Sequence, residues 1–261
     1  MQSDPVPLKN YAFYIYCVFV KWFSFFLFGL GSLFLVIFIF PLMRLCIHPG
    51  KRFQKYARTL ISRLFFLFTM IMSLSGAFTI EIDDKNVLKQ LKSKIIIANH
   101  PSLLDVVVLI SFIQNADCIV NARLLHNIIS GVVKQLYIPN SLAYEELMAL
   151  CAESLSDGNC LIIFPEGTRT PREGKNTIKK GAARLAFRNL CGIIPVHIGG
   201  SDKYGLGKKD PWYGFNHTGK YTYRLTVLPE ISPEPYKKLP EPAAVKRINE
   251  EIIRVLFGRM G

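Results

Sequence analysis

The chain has 261 residues, half of them hydrophobic and 12% aromatic, and it carries 32 lysines and arginines against 19 aspartates and glutamates, a net charge of +13. That length supports one large domain with a sizeable core, and the joint apolar and basic character points to a membrane surface with anionic lipid, or to acidic and phosphorylated partners. The basic residues cluster beside apolar segments and no nucleic-acid motif is present, which speaks against nucleic acid as a partner.

Residues 1–10 form a polar tail. Trp22 to Phe40 then gives 19 residues without a charge, and the apolar character reaches back to Tyr11 except at Lys21. This matches the roughly 20 residues of a spanning helix. A cleaved signal peptide fits poorly, because the apolar run is long and no small-x-small site follows it. Residues 41–63 contain Arg44, Lys51, Arg52, Lys55, Arg58 and Arg63 and no acid. By the positive-inside rule this linker faces the cytoplasm. Phe53, Tyr56, Ala57, Leu60, Ile61 and Leu64 recur at helical spacing between the basic residues. An amphipathic helix in a headgroup layer is expected, with a helix packed on the domain as the competing reading. Leu64 to Ile80 is a second uncharged run, of 17 residues. Placing the linker and the later chain, which is also basic and rich in cysteine, on one side makes this segment re-entrant or parallel to the membrane.

From residue 77 onward strands and helices alternate. Strands are expected at Ala77–Ile82, Ile95–Ala98, Cys118–Val120, Leu136–Ile138, Cys160–Phe164 and Ile193–Ile198. Helices are expected at Pro101–Phe112, Ser141–Leu155 (stopped by Gly158) and Thr177–Leu190. Tyr221, Tyr223, Leu225 and Val227 alternate as in a half-exposed strand. Val245, Ile248, Ile252, Val255 and Leu256 mark a last amphipathic helix. The fold class that follows is α/β, a layered sheet with flanking helices, preceded by an N-terminal hydrophobic two-helix membrane segment. The boundary falls between residues 76 and 77, giving a membrane anchor over 1–76 and an α/β domain over 77–261. The six cysteines, at 17, 46, 118, 151, 160 and 191, include no C-x-x-C pair and mostly sit in apolar runs. They read as core residues in a reducing compartment, neither a metal site nor a disulfide framework.

Two stretches carry chemistry. In KIIIANHPSLLD (94–105) an apolar strand ends at Ala98 and Pro101 bars His100 from a helix. Five helical steps would point His100 and Asp105 apart. With His100 in a turn, Asp105 reaches back to its ring, fixes the tautomer and leaves the other nitrogen as a base. A helix N-terminus with a capping histidine and an exposed aspartate is the alternative for these residues alone. In CLIIFPEGTRT (160–170) a second buried strand ends in a turn with Gly167, Thr168 and Arg169 at its tip. Strand ends of this kind bind ligands. Glycine admits a close approach, and arginine offers a fork for phosphate. Arg172, Lys175, Lys179 and Lys180 follow, so a solvated basic loop is the alternative. Gly207-Lys208 is not a phosphate-binding Walker loop, since Asp202 and Lys209 stand where Gly and Ser or Thr belong.

Together NHPSLLD (99–105) and FPEGTRT (164–170) resemble the 1-acylglycerol-3-phosphate acyltransferase family, the glycerolipid acyltransferases with an H-x-x-x-x-D motif. KKGAARLAF (179–187) and IIPVHIGG (193–200) look like the family's later helix and strand, so the resemblance covers roughly residues 77 to 230. It implies that His100 takes the proton of an acceptor hydroxyl, held by Asp105, and that the hydroxyl attacks the thioester of acyl-CoA or acyl carrier protein. Backbone amides would steady the oxyanion. Glu166, Gly167, Thr168 and Arg169 would bind the acceptor's polar head. No metal and no cofactor beyond the acyl donor is implied. One departure stands out: members acting on lysophosphatidate usually have an arginine near the strand preceding the middle helix, where this chain has Ile138, Pro139 and Asn140. Arg123, nearby in sequence, is the substitute candidate, with Lys134. The acceptor is read as 1-acylglycerol-3-phosphate, with another lysolipid such as lyso-ornithine lipid, or a non-catalytic lipid-binding protein, as alternatives. Membrane lipid and the acyl donor are the partners, and the catalytic domain is placed on the cytoplasmic face of the membrane.

Overall fold

The computed structural model describes residues 11–48, 50–120, 137–174 and 176–258. The candidates Arg123, Lys134 and Lys175, and Leu136 at the start of an expected strand, lie outside these residues. The seven-stranded sheet has the order β1-β7-β6-β2-β5-β3-β4. Its strands are β1 (Phe78–Ile82), β2 (Ile95–Ala98), β3 (Ala116–Val120), β4 (Tyr137–Pro139), β5 (Cys160–Ile163), β6 (Ile193–Gly200) and β7 (Tyr221–Val227). β2 lies mid-sheet, parallel to both β5 and β6. All four of its residues are buried, as are all four of β5. Strands covered on both faces have to be continuously apolar, which is why IIIA and CLII show no alternation. β7 runs antiparallel to β6 and pairs Tyr223 with Gly200.

Helices α1 (Tyr11–Phe34), α2 (Phe40–Cys46) and α3 (Lys51–Leu74) precede the sheet, with a wide helical turn at Leu35–Ile39 joining α1 to α2. The stretches Tyr11–Cys46 and Lys51–Leu74 are both long and apolar enough to cross a membrane. The linker from Lys51 onward and the second apolar run as far as Leu74 are one continuous helix, α3, while Arg44 at the start of the linker lies in α2 and the run's last residues enter β1. Aromatic contacts pair Phe28 of α1 with Phe65 and Phe68 of α3, and Phe40 with Phe53. Tyr16 near the start of α1 donates a 2.8 Å hydrogen bond to Ser75 O beyond the end of α3. The two helices are therefore an antiparallel hairpin.

The opposite face of α3 lies on the domain. Ser62 donates to Ile110 O, and Phe66 meets Phe112 edge-on, both on α5 (Asp105–Phe112). Arg58 forks onto Asp117 at 2.6 and 2.9 Å, and Lys51 reaches Glu153 and Asp157. Phe53, Ala57 and Ile61 are buried, so the apolar stripe expected to enter a headgroup layer instead packs in part against protein; Tyr56 remains exposed. The amphipathic pattern specified a buried face without saying what would bury it. α3 touches the domain along much of its length, through α5, Asp117 and α6. α1 differs: Phe19, Phe23, Phe26, Phe34 and Phe38 form an exposed stripe along its outer face. An apolar stripe of this extent is unusual for a surface in water. An open apolar groove between α1 and α3 is lined by Leu27, Phe28, Leu35, Leu64, Phe68 and Ile71.

The remaining α-helices among the described residues are α4 (Lys85–Gln90), α6 (Tyr144–Ser156), α7 (Gly181–Asn189) and α8 (Glu241–Ile252). Gly158 ends α6 with φ +86°, as its position suggested. Three expected helices begin later than their sequences indicated, α6 at Tyr144 and not at Ser141, and α5 and α7 by four residues each. α5 starts at Asp105 and not at Pro101, because the Ser102 N–H is held by the Asp105 carboxylate and the intervening residues form a tight turn. α7 starts at Gly181 and not at Thr177, because the Lys179 N–H donates to Pro165 O, tying that stretch to the second motif's loop.

Candidate active site

β2 and β5 are adjacent and parallel, so their C-terminal ends deliver the two motifs to the same edge of the sheet. Asn99, the first residue beyond β2, is buried and copies a strand pairing. Its amide donates to Ile198 O at 2.9 Å, and its carbonyl accepts from Ile198 N at 2.7 Å. That clamp fixes the exit of the chain from the sheet at the residue before His100.

His100 Nδ1 lies 2.8 Å from Asp105 Oδ2. The carboxylate only accepts, so Nδ1 carries the proton and Nε2 is the basic nitrogen. The ring stacks on Phe164 at 4.1 Å between centroids, which sets its plane. Asp105 is fully buried at the N-terminus of α5, where helix amides favour a negative charge. Its Oδ2 also accepts from the Ser102 N–H at 2.7 Å, and Oδ1 accepts from the Ser102 hydroxyl at 2.6 Å. Having donated its proton to Asp105, Ser102 Oγ accepts from Tyr223 OH at 2.9 Å. A directed chain thus runs from Tyr223 through Ser102 and Asp105 to His100. Burial holds the Tyr223 phenol well above its usual range, so it stays a donor. The Lys203 ammonium sits 4.7 Å from the Tyr223 ring and is bonded to the carbonyls of Gly199, Ser201 and Thr222. Burial lowers it to about 8, opposed by the negative charge of Asp105.

The second motif braces the first. Glu166 is buried; Oε1 accepts from the His100 N–H at 3.2 Å and the Thr170 hydroxyl at 2.5 Å, and Oε2 accepts from the Asn176 amide at 2.6 Å. The Thr170 N–H returns a bond to His100 O. The Glu166 carboxylate is thereby occupied inside the protein. Gly167 is exposed with φ +66°, and a Cβ there would come within 2.6 Å of the Lys179 amine. Thr168 is half-buried beside it. Arg169 donates from Nη1 to Leu206 O and Gly207 O at 2.9 and 2.8 Å, which orients the guanidinium. Its Nε and Nη2 make no hydrogen bond among the described residues and remain for a ligand. Arg172 is occupied differently, forked between Asp202 and Asp210.

Of the residues singled out from sequence, His100, Asp105, Glu166, Gly167, Thr168 and Arg169 meet at this edge. Ser102, Phe164, Thr170, Asn176 and Tyr223 complete the arrangement. Ser102 lay within the first motif, whereas Tyr223 lay in an ordinary alternating strand with no local signal. Replacing Ser102 with Ala removes a hydrogen bond to a buried carboxylate, worth about 1.5–3 kcal/mol. The expected result is a kcat lowered by about one order of magnitude with the acceptor KM little changed. An unchanged kcat in steady-state kinetics would separate Ser102 from the working of the pair.

A partly exposed histidine bonded to a buried carboxylate at the strand ends of an α/β sheet has the geometry of a general base open to an incoming hydroxyl. Residues 79–199 match the Acyltransferase family model. A probable 1-acyl-sn-glycerol-3-phosphate acyltransferase of Mycoplasma pneumoniae is 24% identical over 172 residues, covering 62% of this chain and 61% of the relative. A protein of the same description from Mycoplasma genitalium is 23% identical over 209 residues, covering 73% and 72%. The match thus spans a little over three fifths of the first relative's length. The crystal structure of the 1-acyl-sn-glycerophosphate acyltransferase PlsC from Thermotoga maritima shares the fold, with a TM-score of 0.64 and 18% identity over 95% of this chain and 94% of that one.

Proposed function

We propose that the protein is an O-acyltransferase that moves a fatty acyl chain from acyl-CoA or acyl carrier protein to the hydroxyl of 1-acylglycerol-3-phosphate, giving phosphatidate. The observation that carries this reading is the oriented pair, His100 with its Nδ1 on Asp105, beside an arginine with donors to spare. Nε2 takes the acceptor's hydroxyl proton as the oxygen attacks the thioester carbonyl. The tetrahedral intermediate collapses, the sulfur leaves, and the imidazolium returns the proton to it. The products are an ester and a free thiol, and the base is regenerated. Backbone amides at the strand ends are the natural donors to the oxyanion.

Arg169 is the choice for the acceptor's phosphate, flanked by Gly167 and Thr168, while Glu166 acts as a brace between the two motif loops. Arg123 is retained as a further phosphate ligand on the sequence argument alone. The division into an anchor over 1–76 and a catalytic domain over 77–261 describes function more than packing, since α1 and α3 share a core with the sheet. The domain and the basic N-terminal half of α3 are assigned to the cytoplasmic side, where coenzyme A and carrier-protein donors are found. The α3–α5 face is closed by side-chain packing, so the open groove between α1 and α3 is the better route for a lipid chain than the seam between α3 and the domain.

A second reading, another lysolipid as acceptor, is favoured by Ile138, Pro139 and Asn140 standing where lysophosphatidate enzymes usually have an arginine. Purified protein in mixed micelles, given acyl-CoA and a panel of lysolipids, distinguishes the two by mass spectrometry of the products. The expected result is preferential conversion of lysophosphatidate. Arg169→Ala raises the KM for it by about 10–100-fold, the worth of a charge-assisted hydrogen bond, and leaves the KM for the donor nearly unchanged. Preference for a head group without a terminal phosphate would move the assignment to the second reading. A change confined to donor kinetics would remove Arg169 from the acceptor site.

A further inference from the structure

The interruption of the first apolar run by Lys21 has a partner far along the chain. The Lys21 side chain is fully buried, and its ammonium donates to Trp212 O at 2.7 Å and to Gly214 O. Trp22 and Trp212 meet edge to face at 5.1 Å. The loop that follows β6 is thus fastened to α1 at Lys21 and Trp22, and exposed Phe19 and Phe26 lie one helical turn to either side of Trp22. Its tip is unusual. Trp212 and Tyr213 are 68% and 62% exposed, although both are large and neighbouring. Lys208 and Lys209 precede them and have no acidic partner among the described residues.

We infer that the tip of this loop, Lys208 to Tyr213, docks on the headgroup layer of an anionic bilayer. The inference rests on the reading of α1 as a membrane-embedded helix. Tryptophan and tyrosine concentrate at membrane–water boundaries because one end of each side chain is apolar and the other polar. Adjacent lysines add attraction to anionic lipid. Trp22, itself exposed and packed on Trp212, shares a face of α1 with Phe19 and Phe26 at i−3 and i+4, so a bilayer covering that face comes to the tip. The loop also connects to the site. Leu206 O accepts from the Leu103 N–H and from Arg169, and the Asp210 carboxylate accepts from the Gly205 and Gly207 amides and from Arg172. A loop held this firmly fixes the height of Arg169 and His100 above the headgroups.

The chain has only two tryptophans, which makes the test direct. Full-length Trp22→Phe protein, reconstituted with vesicles of phosphatidylcholine and phosphatidylglycerol, reports from Trp212 alone. Phosphatidylcholines brominated near the headgroup, at mid-chain or near the terminal methyl serve as quenchers. The expected result is a blue shift and strongest quenching by the shallow bromines. In the same background Lys208→Glu with Lys209→Glu reduces that quenching, and added salt has the same effect. Protein that floats with the vesicles while Trp212 stays unquenched overturns the inference and leaves the embedding of α1 intact. Protein that does not float with vesicles overturns both. Trp212 emission that ignores lipid but shifts on addition of an acidic carrier protein makes the tip a protein-docking surface and overturns the inference as well.

Discussion

His100→Ala is expected to lower kcat by about 10²–10⁴-fold, the usual contribution of a positioned general base, while the folded protein and its association with lipid stay intact. His100 is partly exposed at the sheet edge, and its ring makes one side-chain hydrogen bond, so its removal opens little of the core. Asp105→Asn is expected to cost much of the same. An asparagine amide that offers N–H toward Nδ1 selects the tautomer with its proton on Nε2, which no longer accepts the acceptor's proton. The measurement is initial-rate kinetics on purified protein, with thermal unfolding as the control. Near-normal turnover by folded His100→Ala protein would sink the mechanism.

The second large effect concerns stability and lies far from the chemistry. Asp117 is the second residue of β3 and is almost fully buried. It accepts two hydrogen bonds from Arg58 of α3 and one, at 2.5 Å, from Ser154 of α6. Burial pushes its carboxyl up, and the Arg58 guanidinium works against that shift. Removing one partner of a buried ion pair leaves the other charge without compensation, at a cost of about 3–5 kcal/mol. Arg58→Met is therefore expected to lower Tm by on the order of 10 °C. The double variant Arg58→Met with Asp117→Leu should recover most of the loss, since replacing both members by apolar groups is often near neutral. Unchanged thermal unfolding of Arg58→Met would mean that the pair does not hold α3 to the domain. Sequence placed Arg58 among the residues facing lipid headgroups; it instead faces Asp117, while its neighbours Arg52 and Lys55 are exposed.

The sequence by itself determined the strands that position the site and the two motifs at their ends. IIIA and CLII are apolar without alternation because a central parallel strand is covered on both faces, and that requirement is written into consecutive residues. Pro101 excluded His100 from a helix by local sterics alone, which made its approach to Asp105 legible from a span of six residues. Tertiary structure decided what those residues lean on. Tyr223 reaches Ser102, Arg58 reaches Asp117, and Lys21 reaches the loop at Trp212, each across a long stretch of chain and none with a periodic or local signature. Periodicity distinguishes the face of a helix that avoids water without naming its cover. The stripe of α3 was therefore compatible with lipid, the reading expected from sequence, and with α5, until the sheet placed α5 beside it. A buried hydroxyl, carboxylate or ammonium is stable only where the fold supplies its partner, and which partner that is depends on how distant strands and helices are brought together.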